Sequence, residues 1–275
     1  MSVDNSRRSF LAAMSSLPLL GLFGAEARAA AEAAGLTFGE AKPFDFDMLV
    51  KLAREMAGQA YKEPARPNPE AVKRIDYDEQ GKIKFKHEHA LWKDGPSAFP
   101  VTFRPVGYYF QKSVRMFAVE NGEAREIVYT PDLFSFGPQS PMNEIREGES
   151  AIAGFWVQES RRVGDWTRHE PWATFQGASY FRAVGELGQV GMSARGIALN
   201  VGAKEPEEFP DFRSFWFEPA KNEGDPVVVY ALLDGPSVAG AYRFELQRTT
   251  GVVMTIENHL FLRKDVERLG IAPLT

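Results

Sequence analysis

Aromatic rings and arginines crowd residues 175–217, and their types suit the grip of a polyhydroxylated ligand. Phe175-Gln-Gly-Ala-Ser-Tyr-Phe-Arg-Ala183 sets Tyr180, Phe181 and Arg182 in succession on one expected strand. Alternation sends Phe181 one way and Tyr180 with Arg182 the other, giving an apolar face and a polar-aromatic face. Gly191-Met-Ser-Ala-Arg195-Gly196 offers a second guanidinium alongside, and Glu207-Glu-Phe-Pro-Asp-Phe-Arg-Ser-Phe-Trp-Phe217 adds Asp211, Trp216 and further rings. Aromatic faces pack against the apolar C–H faces of sugars, while arginine and carboxylate groups hydrogen-bond the hydroxyls. A cleft lined in this way suits an oligosaccharide. The alternatives stay open: Phe181, Phe215 and Phe217 equally suit a sandwich core, and Arg182 and Arg195 equally suit ion pairs within a sheet.

Other chemistries find little support. His87-Glu88-His89 would put two imidazoles on one strand face, close enough to share a metal. No third ligand follows at a recognisable spacing, so a solvated strand face is the plainer reading and neither a metal nor a cofactor is expected. His169 falls in a polar loop near Trp166 and Trp172, and His259 within a strand. Neither sits near a Gly-x-Ser-x-Gly elbow, and glycine-rich phosphate loops are absent. Asp234 and Glu257 are the remaining acids of interest, with structural hydrogen bonding as their alternative role.

The elements that must position these groups are mostly strands. Phe44–Tyr61 carries the one long helical pattern, with Phe46, Leu49, Val50, Ala53, Met56, Ala57 and Ala60 on one face. Asp45 is placed to cap it, Phe44 and Leu49 to staple its first turn, and Pro64, Pro67 and Pro69 to end it. Beyond it the period becomes two. Ile83–Glu88 alternates, and Val114–Val119 with Arg125–Tyr129 reads as a hairpin about Asn121-Gly122. Further strands are expected at Gly154–Val157, Ser179–Val184, Gly191–Leu199, Phe215–Phe217, Val227–Leu232, Ala241–Gln247 and Val252–Leu262, with one helical turn at Lys264–Leu269. Short strands punctuated by glycine and proline indicate a mostly β fold, an antiparallel sandwich. The chain ends soon after its most apolar strand, which would leave a pairing edge uncovered and suggests a fragment.

Composition narrows the partners. The 275 residues carry a net charge of −5 with no dense basic run, which argues against nucleic acid or anionic membrane as a partner. There is no cysteine, so neither disulfides nor a thiol nucleophile contribute. The opening Ser6-Arg-Arg-Ser-Phe-Leu11, an apolar stretch to Phe23 and small-residue cleavage patterns at Ala27 and Ala29 make residues 1–29 a twin-arginine signal peptide. That stretch is too short to anchor the chain stably in a bilayer, and the expected compartment is the periplasm. Residues 30–43 read as a linker, and residues 44–275 as the folded part.

Several segments in fixed order carry a resemblance: Phe44-Asp-Phe-Asp47, Gly177-Ala-Ser-Tyr-Phe-Arg-Ala183, Ser193-Ala-Arg-Gly196, Glu208-Phe-Pro-Asp-Phe212, Tyr230-Ala-Leu-Leu-Asp234, Gly240-Ala-Tyr242, Glu257-Asn-His-Leu260 and Gly270-Ile-Ala-Pro-Leu-Thr275. From Phe44 to Thr275 the chain resembles the osmoregulated periplasmic glucan biosynthesis proteins, the family of G and D forms, and the paired arginines are the mark of the D form. The resemblance implies a large, galactose-mutarotase-like β-sandwich followed by an immunoglobulin-like domain, of which only the N-terminal part of the first is present. It implies a β-1,2-linked glucan as partner, a possible contact with the glucan synthase, and endo-hydrolysis in some members. Tyr180, Arg182, Arg195, Asp211 and Trp216 are the residues it carries to glucan contact. Inverting hydrolysis needs an acid and a base flanking a water. The resemblance places both key aspartates after the Ala-Pro-Leu-Thr motif, so no catalytic residue is expected here.

Overall fold

Two sheets bury the apolar faces of these strands against each other. The computed structural model describes residues 35–64, 66–146 and 148–274, and the expected signal peptide lies outside them. The larger sheet runs Thr37–Phe38, Glu123–Val128, Arg115–Glu120, Asp211–Glu218, Val227–Asp234, Val238–Arg248 and Val252–Leu262, with Lys42–Pro43 also on Glu123–Val128. The smaller runs Ala194–Arg195, Tyr180–Ala183, Ala173–Gln176, Ile152–Val157 and Val101–Pro105. Pairing is antiparallel except where Asp211–Glu218 lies parallel to Arg115–Glu120. The expected mostly β sandwich is the observed architecture.

Phenylalanines fill the space between the sheets. Phe103, Phe155, Phe175 and Phe181 point inward from the smaller sheet, and Phe215, Phe217 and Phe244 meet them from the larger. Phe155 stacks on Phe175 at 4.8 Å and meets Phe217 edge-on at 4.7 Å. Such pairs add about 0.5–1.5 kcal/mol beyond area burial. The core alternative for Phe181, Phe215 and Phe217 is therefore the observed one.

The second face of the larger sheet is covered by the helix Phe46–Ala57. Asp45 caps it, accepting from the Met48 N–H at 2.7 Å, and Leu49 and Ala53 are buried against Trp216, Val228, Tyr230 and Leu232. Val227–Asp234 is thus buried on both faces and reads as an unbroken apolar run, not an alternation. The helix is shorter than its sequence pattern. It stops at Ala57 because Gly58 is a poor helix former and the Met56 carbonyl accepts from the Arg263 guanidinium at 2.7 Å. Pro69 opens a second helix, Pro69–Lys73, under an Asn68 cap.

Several elements differ from expectation. Ile83–Glu88 holds only a two-residue strand, Lys84–Phe85, between the Asp76-capped helix Tyr77–Lys82 and a 3₁₀ turn, His87–His89. The 3₁₀ turn, closed by His89 N–H on the Lys86 carbonyl and Ala90 N–H on the His87 carbonyl, cuts the six-residue alternation short. Within the expected linker, Thr37–Phe38 and Lys42–Pro43 each pair with Glu123–Val128, whose free edge offers unpaired backbone groups. Gly191–Leu199 is not one strand: it changes sheet at Gly196, with Ala194–Arg195 on Tyr180–Ala183 and Ile197–Leu199 on Leu269–Ile271. That last pairing also replaces the expected helical turn at Lys264–Leu269.

Candidate functional site

Three segments of no regular period enclose a cleft of about 300 Å³, near the lower bound for ligand pockets. They are the loop 108–114 after Val101–Pro105, the turn at Gly177-Ala178, and Phe209–Arg213 entering its strand. Gly177 (φ +74°) and Ala178 (φ +41°) both take left-handed backbone. A Cβ on Gly177 would sit 2.7 Å from Phe110 Cδ1, so the bare glycine lets that ring close the wall. Tyr108 and Tyr109 meet edge-on at 5.0 Å on the rim, 50% and 69% exposed, with Phe209 48% exposed across from them. Clustered exposed rings mark a contact surface.

The polar end of the cleft is a charged relay. Asp211 is buried and accepts from Lys112 Nζ at 2.6 Å. Burial pushes its carboxyl above the ordinary aspartate range, and the Lys112 bond and the Arg213 charge oppose that rise without cancelling it. Arg213, also lining the cleft, donates at 2.6 Å to Asp234, the cross-strand partner of Asp211. Arg263 holds Asp234 from the other side at 3.0 Å and donates to the Gly235, Val238 and Met56 carbonyls. Asp234 therefore locks the sheet end to the helix, the structural role left open for it. Glu257 is exposed beside His259, and neither acid lines the cleft.

The five sequence-predicted contact residues separate into four places. Tyr180 and Asp211 line the cleft. Arg195 stands behind it: its guanidinium lies 5.7 Å from the Tyr180 ring and 5.3 Å from the Phe209 ring, and it pairs with Glu207 at 2.6 Å. It is 7% exposed, and the ion pair left open for it is present behind the Tyr180 and Phe209 rings. Arg182 opens into an adjoining pocket with Arg104 that shares Phe110, Gln176 and Tyr180 with the cleft. Trp216 lies on the opposite face of the larger sheet, stacked between Phe44 at 5.2 Å and Phe117 at 4.8 Å. The irregular register between Phe212 and Ser214 turns both Phe212 and Phe215 to the core, which leaves Trp216 facing the helix. Its own cavity, about 490 Å³, is walled by Met48, Leu49, Leu52 and Phe117 and also by the charged Glu40, Lys42, Arg115 and Glu126.

Tyr108, Tyr109, Phe110 and Lys112 escaped sequence reasoning because a loop carries no periodicity. Their signal was compositional: three successive rings and a lysine just after Pro105-Val-Gly107. The histidine pair also separates, since the 3₁₀ turn buries His89 against Asp132 (3.3 Å) and leaves His87 exposed. Among the described residues no group of three or more His, Cys, Asp or Glu is placed to hold a metal.

With this geometry in place, comparison with known proteins supplies the family. The family described as "Periplasmic glucan biosynthesis protein, MdoG" matches residues 44–275. The chain belongs to this family. Similar curated proteins include "Glucans biosynthesis protein D 2" of Ralstonia nicotianae, 49% identical over 98% of this chain and 50% of its own length. "Glucans biosynthesis protein D" of Stenotrophomonas maltophilia (strain K279a) is 42% identical over 86% of this chain and 43% of its own. That of Xylella fastidiosa (strain M12) is 40% identical over the same shares. The chain spans about half the length of the curated relatives it matches. The MdoG family is a periplasmic one, and no helix among the described residues is long and apolar enough to cross a membrane.

Proposed function

We propose that this chain takes part in periplasmic glucan biosynthesis by holding the β-1,2-linked glucan backbone in the cleft between Tyr108, Tyr180 and Phe209. The observation that carries this reading is a row of half-exposed rings set beside hydrogen-bonding groups, Gln111, Lys112, Gln176 and Asp211, in a member of a glucan family. Rings meet the C–H faces of the sugar and the polar groups meet its hydroxyls. Export by the twin-arginine route, on the strength of Ser6–Leu11, is part of the same proposal.

In longer relatives the proposed activity extends to endo-hydrolysis of the backbone. Inverting hydrolysis requires two carboxyl groups about 6.5–9.5 Å apart. Among the described residues lining the cleft Asp211 is the only carboxylate, and Lys112 already engages it. Binding without cutting is therefore the proposed behaviour of the 275 residues. Affinity electrophoresis of this chain through linear β-1,2-glucan, paired with a reducing-end assay, tests it. Retarded migration with no new reducing ends is expected. Unretarded migration, or release of reducing ends by this chain, would sink the reading.

A further inference from the structure

The outer face of the smaller sheet carries three arginines, and only one of them is neutralised. Arg195 has Glu207 at 2.6 Å. Arg213 and Arg248, part-buried on the other sheet, likewise have Asp234 and Glu159 at 2.6 and 2.7 Å. Arg104 and Arg182 have no acidic partner and no hydrogen-bond acceptor among the described residues. The Nε atoms of both, and Nε2 of Gln176 between their strands, are enclosed with no partner. At Nε, each guanidinium thus presents an enclosed donor without an acceptor among the described residues.

The two stand on strands separated by Ala173–Gln176 and Ile152–Val157, and both line one pocket. Arg182 stands opposite Thr174, which stands opposite Trp156; Arg104 stands opposite Gly154, which stands opposite Gln176. Gly154 contributes no side chain, and a Cβ there would meet the Phe175 carbonyl oxygen at 2.3 Å. The Arg104 guanidinium lies across the bared sheet and stacks on Trp156, 4.2 Å from the ring centroid. It points into a pocket of about 220 Å³ lined also by Arg182, Thr174, Gln176, Tyr180 and Ser193. Burial, and then the charge of Arg182, push the Arg104 guanidinium down to about 10. Two part-buried cations that line one pocket, with no acidic partner among the described residues, favour an anion there.

We infer that Arg104 and Arg182 form a binding site for a phosphoryl group. A carboxylate offers two oxygens, enough for one guanidinium fork; two forks plus the Thr174 hydroxyl and Gln176 amide call for the three terminal oxygens of a phosphate. The phosphate is either free or esterified to a sugar, since Phe110, Gln176 and Tyr180 line this pocket and the cleft alike. The site does not depend on what the cleft itself holds.

Isothermal titration of the 275-residue chain with inorganic phosphate, glucose 6-phosphate, glucose and acetate, at constant ionic strength, tests this. Saturable binding of phosphate or glucose 6-phosphate is expected, with glucose and acetate at least about ten-fold weaker. A preference for the ester assigns the natural ligand to a phosphorylated sugar; a preference for the free ion assigns it to phosphate. Arg104→Gln and Arg182→Gln should each weaken binding about ten-fold or more, while Arg125→Gln, on the other sheet, leaves it unchanged. Without ligand, Arg182→Gln should melt no lower than the parent, because it removes an uncompensated charge. Absence of saturable phosphate binding, equal binding of acetate, or parental affinity in both glutamine variants would overturn the inference.

Discussion

Trp216→Ala separates the two faces of the larger sheet. A sugar-binding tryptophan and a structural one make opposite demands on the assay. Here the indole is 8% exposed and held between two parallel rings, Phe44 at 5.2 Å and Phe117 at 4.8 Å. Truncation removes a large buried side chain and leaves a cavity beneath a 12-residue helix that is otherwise anchored by Phe46, Leu49, Val50, Ala53 and Met56. Buried tryptophan-to-alanine changes cost about 3–5 kcal/mol. At about 2–4 °C per kcal/mol for a body of this size, the melting temperature should fall by roughly 6–20 °C. Glucan affinity of the folded variant should stay within about two-fold of the parent, since the cleft lies on the far side of the sheet.

Tyr180→Ala should do the reverse. Its ring is half-buried, lines the cleft and carries one face of the proposed contact. Losing roughly 60–80 Å² of ring contact at about 25 cal/mol/Å² removes about 1.5–2 kcal/mol, or about 10–30-fold in affinity. Thermal melts by circular dichroism and affinity electrophoresis at 15 °C or so, below the variant's transition, read both quantities. Trp216→Ala with an unmoved melt and lost glucan retardation would refute the assignment of faces. So would Tyr180→Ala with parental affinity.

Other perturbations probe the supports of the cleft. Arg263→Met removes four carbonyl bonds and one of the two cations facing buried Asp234, and should cost about 3–5 kcal/mol by denaturant titration; Asp234→Asn in the same chain should recover part of it. Asp211 has a folded-state pKa raised by burial, so the native state takes up its proton before the unfolded chain does. The stability of the parent relative to Asp211→Asn should therefore grow as pH falls from 7 through that raised pKa, and urea titrations across the range that show it shrinking would contradict the burial argument. Arg195→Lys keeps a charge for Glu207 but loses the planar support of Tyr180 and Phe209, and glucan affinity should drop about two- to five-fold. Gly177→Ala strains a left-handed turn and drives Phe110 off its seat, so a melting loss of a few degrees should accompany weakened glucan retardation.

Sheet-forming residues were readable where a single rule governed them. The hairpin about Asn121-Gly122 follows from two residues that accept positive φ, observed at 54° and 78°. The Asp45 cap and the Leu49–Ala53 face follow from helical spacing. What escaped was decided by tertiary context. The strand Val101–Pro105 ends in proline and pairs on one side with Ile152–Val157, a neighbour set by distant chain. Period-two reasoning also assumes an unbroken strand. It gave Tyr180 and Phe181 their opposite faces, yet at Phe212–Ser214 the register irregularity changed which face the following residues take. Trp216 came from the resemblance and not from alternation, and the strand turns it to the helix. Tyr108 and Tyr109 lie in a loop, where alternation says nothing and only exposure of the rings marks them.

The strand Asp211–Glu218 explains why one stretch of sequence carries both binding and stability signals. Its first residues, Asp211 and Arg213, reach the cleft; Phe215 and Phe217 fill the space between the sheets; Trp216 seats the helix. A register shift of one residue would exchange the last two roles and present Trp216 to the phenylalanine core. The parallel pairing with Arg115–Glu120 on one side and seven antiparallel residue pairs with Val227–Asp234 on the other resist such a slip. The irregularity at Phe212–Ser214 absorbs the mismatch between the two demands. It lets Phe212 remain in the core, beside Tyr242 at 5.3 Å, while Asp211 before it keeps its bond to Lys112 in the cleft. Ligand contact and fold specificity are thus set by the same few residues, and substitutions along this strand should alternate between loss of affinity and loss of stability with a period that breaks at Arg213.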